Sequence, residues 1–151
     1  MAATSVQFAV ATHVMAALGF RYGSHVSSRD LAASVNADPT FVRKAISKLV
    51  KAGLVQATRG PQGACALARP PEQITLRDIY LASEAPGAFA LHSYPIAKSC
   101  PVSSHLNICM EAVLDRTQRR LEEALAQTTL AEIVADLRDL SKREPPKPKR
   151  K

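Results

Sequence analysis

The stretch SSRDLAASVNADPTFVRKAISKLVKAGLV, residues 27–55, constrains the fold more than any other part of the chain. Two short amphipathic segments flank the joint Asn36-Ala37-Asp38. A joint this short cannot let the segments run on as one rod, so they cross steeply as a helix-turn-helix. Ser27 or Ser28 can cap the first helix, because a hydroxyl there accepts an orphan backbone N–H. That helix is expected to end near Val35. Asp38 can cap the second, with Pro39 at its first position, where a missing N–H costs nothing. The second helix should run to about Ala52, and Gly53 suits the left-handed residue that follows a helix end.

Within the second helix Val42, Ala45, Ile46, Leu49 and Val50 make one apolar stripe. Thr40, Arg43, Lys44, Ser47, Lys48 and Lys51 lie off it. A polar helix face is by itself only a solvated surface. In a helix-turn-helix, however, the second helix enters the major groove. Arg43 can donate two hydrogen bonds to guanine O6 and N7. Thr40 and Ser47 are short enough to reach a base or a phosphate. Lys44, Lys48 and Lys51 suit phosphates, which position a protein without reading sequence. Ser28, where the first helix of the pair begins, completes this candidate DNA-binding set.

The flanking sequence extends the module. A helix is expected from about Ala3 to Leu18, with Val6, Val10, Val14 and Ala17 at helical spacing and Gly19 as its stop. After residue 53, two short apolar runs flank RGPQG, residues 59–63, which predicts a β-hairpin. This wing would bring Arg59 and Gln62 to the DNA backbone or minor groove. Thr75 can cap a helix carrying Leu76, Ile79 and Tyr80 on one face, and residues 85–99 look like a loop. From Pro101 to about Gln127 there is neither Gly nor a further Pro, so one long helix is expected. Thr128 or Thr129 can cap a last helix.

The fold class is therefore mainly α with a small β-hairpin wing: a winged helix-turn-helix followed by a long dimerisation helix. Residues 1–84 form the winged module, 85–140 the loop, long helix and final helix, and 141–151 a disordered basic tail. Charge follows this division. Residues 1–77 carry nine Lys/Arg against three Asp/Glu, residues 78–141 five against nine, and residues 142–151 six against one. A basic front with an acidic middle points to a polyanion, double-stranded DNA, as the partner of the front half. The tail, with no apolar content to speak of, can add nonspecific phosphate contact. No segment could cross a bilayer, and the apolar opening lacks the basic leader of a signal peptide, so a cytoplasmic protein is expected.

These residues resemble a known family. The runs KAGLV, RGPQG and LARPPEQITLRDIY, continuing into FALHSYPIAKSCPVSSHLNICMEAVLDRTQRRLEEALAQTTLAEIV, are similar to the Rrf-two (Rrf2) family of bacterial winged-helix transcription regulators. The second half resembles the subgroup without an iron–sulfur cluster. The resemblance implies a homodimer held by the long helix, bound to a palindromic operator and usually repressing. Two features depart from the family pattern. Its wing commonly has Gly-Gly before an aromatic and a basic residue, where this chain has Gly63-Ala64-Cys65-Ala66. Its first helix usually opens on basic residues, and MAATSVQ has none.

Cluster-binding members use three closely spaced cysteines before the long helix, whereas this chain has Cys100 and Cys109. Two thiols of one chain fall short of a cluster's ligand requirement, with His105 the candidate for a third ligand. No metal or other cofactor is expected. Cys100 sits where the long helix should begin, and a helix N-terminus stabilises a thiolate, so it is a candidate redox sensor, with Cys109 the second candidate thiol. Cys109 shares a face with Val102, Leu106 and Val113 and is expected to pack as a small hydrophobe. Nine residues of straight helix separate the two thiols by roughly 13.5 Å, too far for a disulfide within one chain. His105 and Cys109 have a one-face metal spacing without further ligands. Cys65 should pack inward.

Leu106, Met110, Val113, Leu114, Leu121 and Leu125 form a wide apolar face on the long helix that a second copy would cover. Twofold symmetry would then set two recognition helices roughly 34 Å apart, on successive turns of the major groove. Two rivals remain. A winged-helix protein-interaction module would leave the basic face idle. A thiol enzyme using Cys109 and His105 would need an orienting group and an oxyanion site that the sequence does not offer, so no catalytic residue is expected.

Overall fold

The computed structural model describes residues 6–58, 60 and 63–143. Helix α1 spans Gln7–Phe20, α2 Ser28–Val35, α3 Pro39–Lys51, α4 Leu76–Ala82, α5 Pro101–Leu125 and α6 Leu130–Arg143. Strands β1 (Val26–Ser27), β2 (Val55–Ala57) and β3 (Ala64–Leu67) form an antiparallel sheet in the order β1-β3-β2. The fold is mainly helical with a small wing, as the periodicities predict. The hairpin gains a third strand: Val26 pairs with Cys65 and Ser27 with Ala64. A two-residue strand is too short to show the alternation by which strands are read from sequence.

The helix-turn-helix forms for the anticipated reasons. Ser27, rather than Ser28, is the α2 cap and accepts the Asp30 N–H at 3.0 Å. Asp38 accepts the N–H groups of Thr40 at 2.8 Å and Phe41 at 3.2 Å, and Pro39 opens α3. Gly53 follows α3 at φ 74°, a left-handed conformation that costs a glycine little.

Helix α1 corrects the expected stripe and stop. Its buried positions include Ala11, Val14, Met15 and Leu18, while Val6 is 56% exposed. The segment is apolar nearly all round, so periodicity alone could not choose its inner face. Nor does Gly19 end the helix, which continues to Phe20. Gly19 is a packing glycine instead: a Cβ there would stand 2.8 Å from Val134 Cγ2 of α6. Arg138 of α6 donates to the Phe20 carbonyl at 3.1 Å and lies 5.4 Å from the Phe20 ring centroid. A cation at that end also meets the negative pole of α1.

One core joins α1, β1, α2, α3, the sheet, α4 and α6. Leu130 and Val134 are buried in it, so the last helix packs with the amino-terminal module in whose core it shares. Two capping boxes lock that junction. Thr75 exchanges bonds with Asp78, and Thr129 with Glu132. Between them Leu76 N–H donates to the Thr128 carbonyl at 2.9 Å and Leu130 N–H to the Ile74 carbonyl at 2.8 Å. Helix α6 extends to Arg143, three residues into the segment read as tail; the remainder of that basic segment, 144–151, lies outside the described residues.

Helix α5 stands apart. It is 25 residues long and none is buried. Its main packing partner is α4, through Tyr80, Gln118 and the Arg77–Glu122 ion pair.

Candidate nucleic-acid interface

The exposed face of α3 carries Thr40, Arg43, Lys44, Ser47 and Lys51, all open to solvent. Its opposite face holds Val42, Ile46 and Leu49 in the core. Burial of that stripe fixes the rotation of the helix and so aims the polar side chains outward.

A groove of about 880 Å³ runs beside this face. Ser28 and Arg29 line it from α2, Pro39 and Arg43 from α3, and Gly60 and Gly63 from the wing. The wing is held against α2 by the Ser28 N–H, which donates to the Gly63 carbonyl at 3.0 Å. Thr58 N–H closes the hairpin on the Ala64 carbonyl at 2.8 Å. The structure thus brings Ser28 and Arg43 together with the base of the wing. Arg29, which sequence reasoning passed over, joins them; its place in the first turn of α2, next to Ser28, was the available signal. Arg59 and Gln62 lie outside the described residues.

Lys48 is placed differently. It is half-buried, and its ammonium sits 3.0 Å from Glu84 Oε2 and 3.3 Å from the Ser83 carbonyl. The pair holds the Glu84 carboxyl below the ordinary glutamate range, first through the Lys48 hydrogen bond and charge, with Lys51 adding to them. Helical spacing could not show this, because Glu84 is 36 residues away in sequence.

With the fold and this basic helix beside a wing described, the chain can be set against known proteins. The sequence model of Rrf2, described as an iron-dependent transcriptional regulator, matches residues 4–136. The chain belongs to the Rrf2 family. The Bacillus subtilis protein YwnA, described provisionally as an HTH-type transcriptional regulator, is 32% identical over 132 residues, which cover 87% of this chain and 96% of YwnA. A crystal structure of a Lactobacillus plantarum protein, again provisionally a transcriptional regulator, superposes with a TM-score of 0.75 at 25% identity, covering 90% and 92% of the two chains. CymR of Bacillus subtilis, described as its global cysteine regulator, has the same fold with a TM-score of 0.63 at 24% identity and 89% and 98% coverage. Like its Rrf2 relatives, the chain is a transcription regulator of winged-helix fold and not an enzyme.

The family description names iron, and the donors of this chain do not suit it. Cys100 is the residue before α5 and half-buried, while Cys109 is exposed two and a half turns along the same helix. His105 turns Nδ1 back to the Pro101 carbonyl at 2.8 Å. Among the described residues no three His, Cys, Asp or Glu side chains are grouped to hold a metal ion. Cys65 is buried in β3, and burial raises its thiol pKa. No helix of the described residues is long and apolar enough to cross a membrane.

The six apolar positions expected at a dimer interface lie along α5. Leu106 and Val113 are exposed, and Met110, Leu114, Leu121 and Leu125 are half-buried. Val102, 65% exposed and one turn before Leu106, adds to this surface.

Proposed function

We propose that the protein is a dimeric, sequence-specific repressor, acting in the bacterial cytoplasm on nucleoid DNA at a palindromic operator. In this reading Arg43 reads a guanine edge, Thr40 and Ser47 contact a base or its phosphate, and Lys44 and Lys51 neutralise phosphates. Ser28 and the wing, with Arg59 and Gln62, approach the backbone alongside. The observation that carries the reading is the solvent-facing row Thr40, Arg43, Lys44, Ser47 and Lys51, rigidly oriented by the buried face of α3.

The second copy is supported by α5. A helix of 25 residues with no buried side chain and a continuous apolar flank needs a cover, and the chain's own core does not supply one. Two copies joined there would each present an α3 to one half-site. A redox signal would find Cys109 exposed and Cys100 partly so, with Cys65 sealed in the core.

Selection of bound duplexes from genomic DNA, followed by anisotropy titration of the selected site, tests the reading. A twofold-symmetric consensus bound by two chains is expected. A protein that leaves every duplex unbound at low ionic strength would end it.

A further inference from the structure

Lys48 does not stand with the other cations of α3, because its charge is met by Glu84. Glu84 follows the end of α4 at φ 53°, a left-handed conformation uncommon for a residue with a side chain. The turn that holds it there is tied from several sides. Gln7 of α1, its amide oriented to donate, reaches the carbonyls of Glu84 at 2.9 Å and Ser83 at 3.3 Å. Ser83 Oγ donates to the Tyr80 carbonyl at 2.7 Å and accepts the Ala85 N–H at 3.3 Å. The Tyr80 hydroxyl donates to the Pro86 carbonyl at 3.2 Å and accepts from Gln118 Nε2 of α5 at 2.9 Å. Gln118 Oε1 in turn accepts the Ala88 N–H at 3.1 Å. A run of polar contacts therefore connects the recognition helix, the end of α4, the following loop and the long helix.

The α4–α5 seam in that run is polar. Beside the Tyr80–Gln118 bond it has the Arg77–Glu122 pair at 3.5 Å, and α5 contributes no buried residue. The Tyr80–Gln118 bond is only part-buried, and hydrogen bonds that water can reach exchange with it at a modest net change in free energy. Because α5 adds no residue to the core, a shift of this seam would leave the core closed. Lys48 lies one turn from both Lys44 and Lys51, and its flexible stem can swing toward the same phosphates once its carboxylate leaves.

We propose that Glu84 withholds Lys48 from DNA, and that the α4–α5 seam governs the hold, so that Lys48 is a latent phosphate contact released when the long helix shifts. This rests on the DNA-binding reading above. It makes Glu84 a positioning residue and the polar seam the route by which the dimerisation segment tunes affinity.

The test is the salt dependence of duplex binding by the full-length protein and its variants. Each added phosphate contact steepens the plot of log K against log salt by about 0.9. Glu84→Gln is expected to steepen the slope by about that amount, and Lys48→Ala to leave it at the wild-type value. The double variant should match Lys48→Ala, and Gln118→Ala should move toward Glu84→Gln. A wild-type slope in Glu84→Gln, or the same change persisting without Lys48, overturns the proposal. So does a flattening by about 0.9 in Lys48→Ala, which would place Lys48 on a phosphate already. A wild-type slope in Gln118→Ala overturns the role of the seam. Wild-type protein that binds no duplex removes the functional reading and this inference together, a result distinct from binding with unchanged slopes.

Discussion

Gly19 of α1 lies directly beneath Val134 of α6, so that a Cβ added to the glycine would stand 2.8 Å from the valine Cγ2. Leu130 Cδ2 would be the next atom, at 3.5 Å. This contact seats the last helix on the amino-terminal module, and it has a measurable consequence. Alanine gains about 1 kcal/mol over glycine in a helix interior, but overpacking costs about 1–3 kcal/mol. Valine is stiff at χ1 and cannot fold its methyl away. Gly19→Ala should therefore destabilise the protein by about 1 kcal/mol in urea unfolding. Val134→Ala should also destabilise, by leaving a cavity. The double variant should lose less than the two singles together, since each relieves the other. Strict additivity would show that the two positions do not meet.

Arg43 and Lys44 adjoin in sequence but should fail differently. Arg43→Ala should cost about 1–3 kcal/mol on the selected operator and relax preference at one base pair. Lys44→Ala should weaken binding to all duplexes alike and lower the salt slope by about 0.9. Anisotropy titrations on matched and single-substituted sites separate the two. Equal losses on every sequence from Arg43→Ala would remove its assignment as a base reader.

Leu106 and Val113 are exposed on α5. Changing both to Glu removes nothing from the chain's own core, so far-UV circular dichroism should match wild type. Sedimentation should instead show a monomer, with operator affinity falling to that of a half-site. An undiminished dimer in sedimentation would move the interface off this face.

Glu132 accepts the Thr129 N–H at 2.6 Å and the Thr129 hydroxyl at 3.0 Å, and these bonds hold its carboxyl below the ordinary glutamate range. A depressed folded-state value means that the unfolded chain binds the proton more readily. The stabilisation is then fully present above the unfolded glutamate value and is lost as pH falls through the lower folded value. Urea unfolding over that acid range should show stability declining, and Glu132→Gln should flatten this part of the profile. An identical decline in the variant would assign the acid sensitivity elsewhere.

The helix-turn-helix was legible residue by residue because its signals are local. Asp38, Pro39 and Gly53 act within a turn of where they stand, and the stripe of Val42, Ile46 and Leu49 needs only the helical repeat. The inner face of α1 was not legible, since an almost wholly apolar helix leaves its neighbours to choose the buried side. The expected stop at Gly19 failed for the same reason. A glycine near a helix end can serve as a terminator or as a seat for another helix, and only Val134, 115 residues later, decides between them.

By itself, then, the sequence determined the helix-turn-helix, the caps of its two helices and the polar row on α3, all products of forces that reach no further than a few residues along the chain. Tertiary structure decided which of those polar side chains stay free. Lys48 and Lys51 share one helix and one charge, yet Lys48 alone is shown clasped, because the end of α4 brings Glu84 to within 3.0 Å of it. Coulombic attraction acts through space and falls with distance, so no spacing rule along α3 could have distinguished the two.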